Sequence, residues 1–191
     1  MLLRAISLFI IIATNVYSED IPIITITAPS KKPQSISTVG SSVTIIDEKF
    51  LSNSTEHFLG DVLNTSSTSA NFFQSGGHGT ASAIQLRGMP KRYSTVYIDG
   101  VKMSDPSSVS GDFDFNNILT SQVSRVEILK GNQSSIYGSG AIGGTIHVFT
   151  KQGKSGSSKD IQYIAGSHDT HNISASLSGG NNNSKYYLGI Q

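Results

Sequence analysis

The sequence predicts an α+β domain of strands and short helices, followed by a run of antiparallel strands of different character. Short β-branched or alternating segments recur between residues 41 and 151, and two helical patterns lie among them. After a Gly/Ser/Lys stretch at 153–159, each strand combines an apolar face with a hydroxyl-rich face.

The N-terminus has the pattern of a secretory signal peptide. Residues 1–18, MLLRAISLFIIIATNVYS, combine the basic Arg4 with a short apolar run that ends before Glu19. The run is shorter than the roughly 20 residues that a membrane-spanning helix needs, and a buried N-terminal helix is the alternative. Without residues 1–18 the chain has 13 basic and 13 acidic residues. A neutral exported chain is not expected to bind nucleic acid.

Residues 19–35 predict an extended tail. The segment IPIITITAPSKKPQS is β-branched at its start and is interrupted by Pro29 and Pro33, which disfavour helix and remove ladder donors. Such an arm could add as a strand to the sheet edge of a partner.

The central part of the chain predicts a strand, two helices and then further strands. The strand is SSVTIID at 41–47, and Asp47, or a serine further on, is placed to cap a short helix through Phe50. Ser54 or Thr55 is expected to cap a second helix, EHFLGDVLN. An Asp-Gly turn at 99–100 predicts a hairpin. The remaining strands are predicted at 69–74, 82–88, 94–99, 101–103, 123–131 and 144–151.

The last strands alternate between apolar and polar residues, with Ile164 as the exception in DIQYIAGS. In THNISASLS, Ile173, Ala175 and Leu177 face one way and the polar residues face the other. This alternation is typical of a transmembrane β-barrel, although the edge of a soluble sandwich gives the same pattern over so few residues.

Residues 138–143, GSGAIG, match the dinucleotide pattern G-x-G-x-x-G. That site needs the first glycine directly after a strand and the last at a helix N-terminus. Here the preceding strand ends near Lys130, and TIHVFT predicts another strand. A nucleotide-dependent oxidoreductase is therefore disfavoured, and the glycines predict a tight reversal with positive φ angles and close packing.

Residue types suited to catalysis or metal binding are scattered. His168 and His171 flank Asp169, a pattern that more simply brackets a turn, while His78 lies in a glycine loop where it could touch a ligand. The remaining aspartates of interest fall in turn-rich sequence, at 99, 105, 112 and 114. The chain contains no cysteine. We therefore predict no enzyme activity, no cofactor and no bound metal.

Five segments, taken in order, resemble the plug domain of TonB-dependent outer-membrane receptors. They are IITITA (23–28), SVTIIDEKFLSNSTEHFLGDVLN (42–64), QSGGHGTASAIQLRG (74–88), TVYIDGVKMSDPS (95–107) and VSRVEILKGNQSSIYGSGAIGGTIHVFTK (123–151). Three residues depart from the usual pattern: Thr25, Lys130 and Asn132. The spacing is most similar to the cobalamin-receptor branch, and the resemblance covers about residues 20–191.

The resemblance implies the domain organisation. A signal peptide (1–18) precedes the Ton box and linker (19–35), and the plug (36–152) is a small mixed β-sheet with short helices. A linker (153–159) leads to the first antiparallel strands (160–191) of a transmembrane β-barrel of about 22 strands.

The resemblance also implies the function. A plug of this family gates a barrel in the outer membrane of a Gram-negative bacterium and faces the lumen and periplasm. The receptor takes up a scarce nutrient complex, namely cobalamin, a ferric siderophore or haem. A TonB-type protein supplies the energy, and outer-membrane lipid surrounds the barrel. The alternative is a secreted plug-like module that binds a ligand on its own.

Particular residues acquire expected roles from the same resemblance. The Ton box is Ile23, Ile24, Thr25, Ile26, Thr27 and Ala28. The ligand-binding apex loops contain Gly76, Gly77, His78, Gly79, Thr80, Lys91, Arg92 and Tyr93. Arg87 and Lys130 are the cations expected to pair with barrel glutamates as a latch. The structural loop contains Tyr137, Gly138, Gly140, Gly143 and Gly144, with Tyr137 as its anchor.

Overall fold

A computed structural model describes residues 25–26, 32–67, 70–77, 79–115, 118–167, 169–181 and 183–191. The proposed signal peptide, His78 and His168 lie outside these residues. Three helices lie within them: α1 Glu48–Asn53, α2 Leu59–Ser66 and α3 Ser134–Tyr137. The first strands are β1 Thr25–Ile26, β2 Gln34–Ser35, β3 Ser42–Ile46, β4 Ala70–Gln74, β5 Ser82–Leu86 and β6 Ser94–Ile98. They are followed by β7 Val101–Met103, β8 Val123–Lys130, β9 Gly144–Thr150, β10 Gly156–Gly166, β11 Thr170–Gly180 and β12 Lys185–Ile190.

A five-stranded mixed sheet forms the centre of the α+β part, in the order β3-β8-β9-β6-β7. The β6–β9 pairing is parallel and the other pairings in this sheet are antiparallel. The mixed sheet with short helices that the sequence predicts is therefore confirmed. Two further antiparallel pairs, β1–β2 and β4–β5, form separate two-stranded sheets.

The main hydrophobic core lies on one face of this sheet. Strands β8 and β9 contribute Val126, Ile128, Ile146 and Val148, each at most 1% exposed. The opposing layer is made by α1, α2 and the β4–β5 hairpin. Its buried side chains are Leu51, Leu59, Val62, Leu63, Ala70, Ile84 and Leu86. Burial on this scale is the dominant favourable contribution to folding.

The first helix begins as the sequence predicts. Asp47 is its N-cap, and the Asp47 carboxylate accepts the Phe50 N–H at 2.8 Å. The helix extends beyond Phe50 to Asn53.

The second helix begins later than predicted, at Leu59 instead of directly after Ser54 or Thr55. Tertiary pairing explains the difference, because Phe58 forms an antiparallel bridge with Leu119 and the His57 carbonyl accepts the Thr120 N–H at 3.0 Å. These contacts hold residues 57–58 extended, so the predicted cap at Ser54 or Thr55 is wrong.

The last three strands form a separate antiparallel sheet in the order β10-β11-β12. Strand β10 begins at Gly156, so the predicted linker at 153–159 is shorter than expected. The reason is pairing, because Ser157, Ser158 and Lys159 already face residues 177–179 of β11.

The predicted alternation of faces is confirmed in this sheet. Ile161, Ile173, Leu188 and Ile190 share one face and are 62–80% exposed. The other face is rich in serine and is turned towards the α+β part.

Candidate functional site

Three loops of the α+β part form the candidate site, and contacts to neighbouring segments order each of them. The first is the β4–β5 turn, which contains Gly76, Gly77, Gly79 and Thr80. The Gly77 carbonyl accepts the Thr80 N–H at 3.2 Å and the Gln74 side-chain amide at 2.7 Å. Gly79 has a φ of 90°, which explains the need for glycine there.

The second loop joins β5 to β6 and begins with a strained turn. Arg87 has a φ of 55° and Gly88 a φ of 72°, and the Met89 N–H closes the turn on the Leu86 carbonyl at 3.0 Å. A left-handed conformation at a residue other than glycine costs about 1 kcal/mol, so the surrounding contacts must hold Arg87 in place.

The same loop carries Lys91, Arg92 and Tyr93 in a short 3-10 turn. The Arg92 guanidinium lies 4.9 Å from the centre of the Tyr93 ring. The Lys91 ammonium lies 2.5 Å from Asp112 Oδ2. These residues are adjacent in sequence, but the structure gives their side chains different neighbours.

The third loop, residues 104–115, was not singled out as a site from the sequence. The aspartates were interpreted there as turn residues, which describes Asp105, whereas Asp114 bonds to a distant strand. The Asp105 carboxylate accepts the Ser107 hydroxyl and N–H at 2.6 and 2.8 Å, and these bonds lower the pKa of Asp105. Asp114 accepts the Ser82 hydroxyl at 2.6 Å. The signal that could have identified the third loop from the sequence is the short β6–β7 hairpin. This hairpin reverses the chain, so the loop that follows it lies at the end of the sheet where β6 begins.

The glycine block at 138–144 hydrogen-bonds to the second loop and packs against it. The Gly143 N–H donates to the Tyr93 carbonyl at 3.0 Å, and the Gly143 carbonyl accepts the Gly131 N–H at 3.1 Å. A Cβ on Gly143 would lie 3.1–3.2 Å from Met89, Tyr93 and Leu86.

Different glycines of this block are required for different reasons. Gly138 and Gly144 have positive φ angles of 85° and 144°. Gly140 and Gly143 instead permit close approach, and a Cβ on Gly140 would lie 3.0 Å from the Thr95 hydroxyl. The block is followed by strand β9 and not by a helix, so it lacks the helix N-terminus of a dinucleotide site.

A buried aromatic cluster holds the glycine block on the second face of the sheet. The Tyr137 ring lies 5.0 Å from the rings of Tyr97 and His147, which stack on each other at 4.8 Å. Burial, followed by the neighbouring Tyr97 and Glu127, raises the pKa of Tyr137 to about 12. Tyr137 is 7% exposed and lies where the sequence predicts the anchor of the loop.

An ion pair between a buried glutamate and a partly exposed arginine lies on the same face. Glu127 is fully buried, and Arg125 Nε donates to Glu127 Oε1 at 2.8 Å. The Arg125 guanidinium also lies 3.8 Å from the centre of the Phe149 ring. The pair lies within β8 and compensates the charge of the buried carboxylate, while the contact of Arg125 with Phe149 links β8 to β9.

A family model for the TonB-dependent Receptor Plug Domain matches residues 35–145, which is more than half of the chain. The chain belongs to this plug-domain family. The confirmed mixed sheet is thus the sheet of a plug, and the strands β10–β12 follow the plug in the chain.

Three relatives of known structure or function are each much longer than this chain. The vitamin B12 transporter BtuB of Photobacterium profundum is 32% identical over 106 residues, which cover 56% of this chain and 17% of that protein. The ferric yersiniabactin uptake receptor FyuA of Yersinia pestis is 27% identical with a TM-score of 0.61, over 78% of this chain and 23% of that chain. The ferripyoverdine receptor of the Pseudomonas aeruginosa outer membrane shares the fold, with a TM-score of 0.71 at 18% identity over 86% and 22% of the two chains. This chain therefore spans less than a quarter of the length of each.

The two cations expected to form the latch lie in adjacent segments of the plug. The Arg87 guanidinium would be 3.2 Å from a Cβ at Gly131, the neighbour of Lys130. Arg87 is exposed and Lys130 is partly exposed. Among the described residues no carboxylate lies within salt-bridge distance of either cation.

The plug contacts the following strands through neutral polar groups. Asn172 Nδ2 lies 3.1 Å from His57 Nδ1, and the Tyr187 hydroxyl donates to the Ser121 carbonyl at 3.4 Å. Between the two parts lies a cavity of about 740 Å³. Serine hydroxyls and amides dominate its lining, with Glu48, Lys49, Glu56, Lys151, Lys154 and Asp160 as charged members.

Other candidate features lie elsewhere or outside the described residues. Of the Ton box, only the backbone of Thr25 and Ile26 is described, and it pairs antiparallel with Gln34–Ser35. The described residues contain no group of three or more His, Cys, Asp or Glu side chains arranged to bind a metal. No helix in the same part of the chain combines the length and apolarity needed to cross a bilayer.

Replacing Gly144 by alanine should destabilise the plug. The new Cβ would lie 2.3 Å from the Leu129 carbonyl oxygen at a φ of 144°. We expect a loss of about 3 kcal/mol in the free energy of unfolding, measured by chemical denaturation. Gly40→Ala is the matched control, because no heavy atom lies within 4 Å of its Cβ. Equal stability of the two variants would contradict the close-packing role of Gly144.

Plug stability should fall as the pH rises from about 10 to about 12. An unfolded chain releases the tyrosine proton near pH 10, whereas folded Tyr137 retains it until about pH 12. Below pH 10 both states are protonated, so this residue adds no pH dependence there. Tyr137→Phe should make the fall in denaturation midpoint shallower over this window. An unchanged slope would show that Tyr137 does not titrate as its burial implies.

Proposed function

We propose that this chain forms the plug and first wall strands of an outer-membrane receptor for energised uptake of a scarce nutrient complex. The observation that carries the proposal is the pairing of a plug fold with strands whose apolar side chains point away from the plug. Residues 36–152 would form the plug, residues 19–35 the Ton box and linker, and residues 160–191 the continuing wall. The receptor would lie in the outer membrane of a Gram-negative bacterium, with the plug facing the lumen and periplasm.

The ligand would bind across the three loops of the candidate site. Gly76, Gly77, Gly79 and Thr80 order the first loop, and Arg92 with Tyr93 gives the second a cation and an aromatic ring. The third loop adds Val109, which is fully exposed. The relatives named above bind vitamin B12, ferric yersiniabactin and ferripyoverdine, so cobalamin and ferric siderophores are the ligand classes proposed, with haem as a further class.

Gating would depend on the fit of the plug to the wall. Arg87 and Lys130 would pair with wall glutamates beyond this chain, which would register the plug in the lumen at a desolvation cost. The neutral contacts Asn172–His57 and Tyr187–Ser121 would add modest net stability. A plug held in this way can be displaced without breaking a large apolar interface.

Energy would enter at the Ton box, residues 23–28. A TonB-type protein would pair with this segment as an added strand and transmit force from the proton gradient. In this structure the backbone of Thr25 and Ile26 is paired with Gln34–Ser35, so that pairing would have to open first. No covalent chemistry is required of any residue in this mechanism.

Outer-membrane lipid would cover the outward face of β10–β12. This face carries Ile161, Tyr163, Ile173, Leu188 and Ile190, each more than half exposed. Alternation of lipid-facing apolar and lumen-facing polar residues is the pattern that such a wall requires.

Ile26→Pro should abolish uptake while ligand binding at the cell surface persists. Proline removes a backbone N–H and so disrupts strand addition, whereas Ile26→Ala keeps the N–H and should retain most uptake. The assay is growth on cyanocobalamin or a panel of ferric siderophores in cells that depend on this receptor. Normal uptake by the proline variant would contradict the Ton box assignment, and failure of wild type on the whole panel would contradict the proposed function.

Ile161→Lys should reduce the amount of folded receptor in outer membranes, whereas the neighbouring Gln162→Lys should not. A lysine on the lipid face costs about 2–4 kcal/mol near the bilayer midplane, and a lumen-facing lysine remains hydrated. Folded receptor is measured by its heat-dependent mobility in gel electrophoresis. Equal levels of the two variants would argue against a membrane-spanning wall.

A further inference from the structure

We infer that Lys91 is a positioning residue that fixes the third loop of the candidate site, instead of a cation that contacts the ligand. From the sequence alone, Lys91 and Arg92 are equivalent candidates for an anionic ligand. In the structure their environments differ. The Lys91 ammonium lies 2.5 Å from Asp112, whereas Arg92 stacks on its neighbour Tyr93.

Burial makes Asp112 dependent on Lys91. The Asp112 side chain is 7% exposed, and its Oδ1 atom has no hydrogen-bond partner in the described part of the chain. Its other oxygen, Oδ2, accepts the Ser108 hydroxyl only at 3.4 Å. A buried carboxylate with so few donors is costly unless a counter-charge lies close to it. Lys91 supplies that charge.

Asp112 in turn organises the third loop. The Asp112 carbonyl accepts the Asp105 N–H at 3.1 Å, and the Asp105 carbonyl accepts the Ser108 N–H at 3.2 Å. The Gly111 N–H donates to the Ser108 carbonyl at 3.0 Å. Fixing Asp112 therefore fixes both ends of the turn at residues 105–112, together with the exposed Val109 that it carries.

The second loop, which carries Lys91, is itself hydrogen-bonded to the glycine block. Lys91 begins the 3-10 turn after Pro90, and Tyr93 at the end of this turn accepts the Gly143 N–H at 3.0 Å. A continuous path thus runs from Gly143 through the second loop and the Lys91–Asp112 pair to the third loop. For the site, this means that Arg92, and not Lys91, is the cation of the 3-10 turn that would contact an anionic ligand. This consequence rests on the proposed receptor function, whereas the positioning role does not.

Hydrogen exchange of the whole protein in detergent, without any ligand, tests the positioning role. Lys91→Met should raise the exchange rate of the Asp105, Ser108 and Gly111 amides about tenfold, as expected when a buried carboxylate loses its counter-charge. Lys91→Arg should restore rates close to wild type, because it keeps the charge. Arg92→Met is the matched control and should leave these amides unchanged.

The outcomes separate the two roles of Lys91. If Lys91→Met and Arg92→Met leave the exchange of residues 105–111 equally unchanged, the positioning role is refuted and Lys91 is free to contact a ligand. Unchanged exchange in β8 and β9 verifies that the variant is folded. If the Lys91→Met variant does not fold, Asp112→Asn replaces it in the test. Asp112→Asn should raise the exchange rates of the Asp105, Ser108 and Gly111 amides about threefold, and unchanged rates would again refute the inference. None of these results depends on uptake, so loss of the proposed function would be recognised separately.

Discussion

The antiparallel pairing of β8 with β9 is the contact on which the rest of the structure depends. These two central strands are buried on both faces, with Val126, Ile128, Ile146 and Val148 in the core on one side. The other side carries the Arg125–Glu127 pair and an aromatic cluster, in which Tyr137 packs at a tilt against the stacked rings of Tyr97 and His147. The glycine block lies in the connection between the two strands, so its geometry is set by the same pairing.

This arrangement links the strongest sequence signal to the loops of the candidate site. Gly143 bonds to Tyr93 and to Gly131, and a Cβ at Gly144 would collide with the Leu129 carbonyl. The glycine block therefore fixes the position of the second loop relative to the sheet. The Lys91–Asp112 ion pair links the third loop to the second. A ligand that contacts these loops would act on a surface connected directly to the central strands of the plug.

The sequence was sufficient for features that depend on local chemistry. Alternation predicted the strands, including the opposite faces of β10–β12, and Asp47 was correctly placed as a helix cap. Features set by distant partners could not be predicted in this way. The start of α2 depends on a bridge between Phe58 and Leu119, sixty-one positions away, and the role of Lys91 depends on Asp112 in another loop. The resemblance to a plug supplied the mixed sheet, because periodicity alone does not distinguish parallel from antiparallel pairing.

A cryo-electron microscopy map of the receptor that contains this chain, in lipid nanodiscs, tests the central claim most directly. We expect the five-stranded sheet to lie inside a closed barrel, with Ile161 and Leu188 facing lipid and Ser174 and Ser176 facing the plug. Such a map would also show whether wall glutamates reach Arg87 and Lys130. A soluble particle in which β10–β12 pack as one layer of a sandwich, away from lipid, would contradict the receptor and favour a secreted binding module.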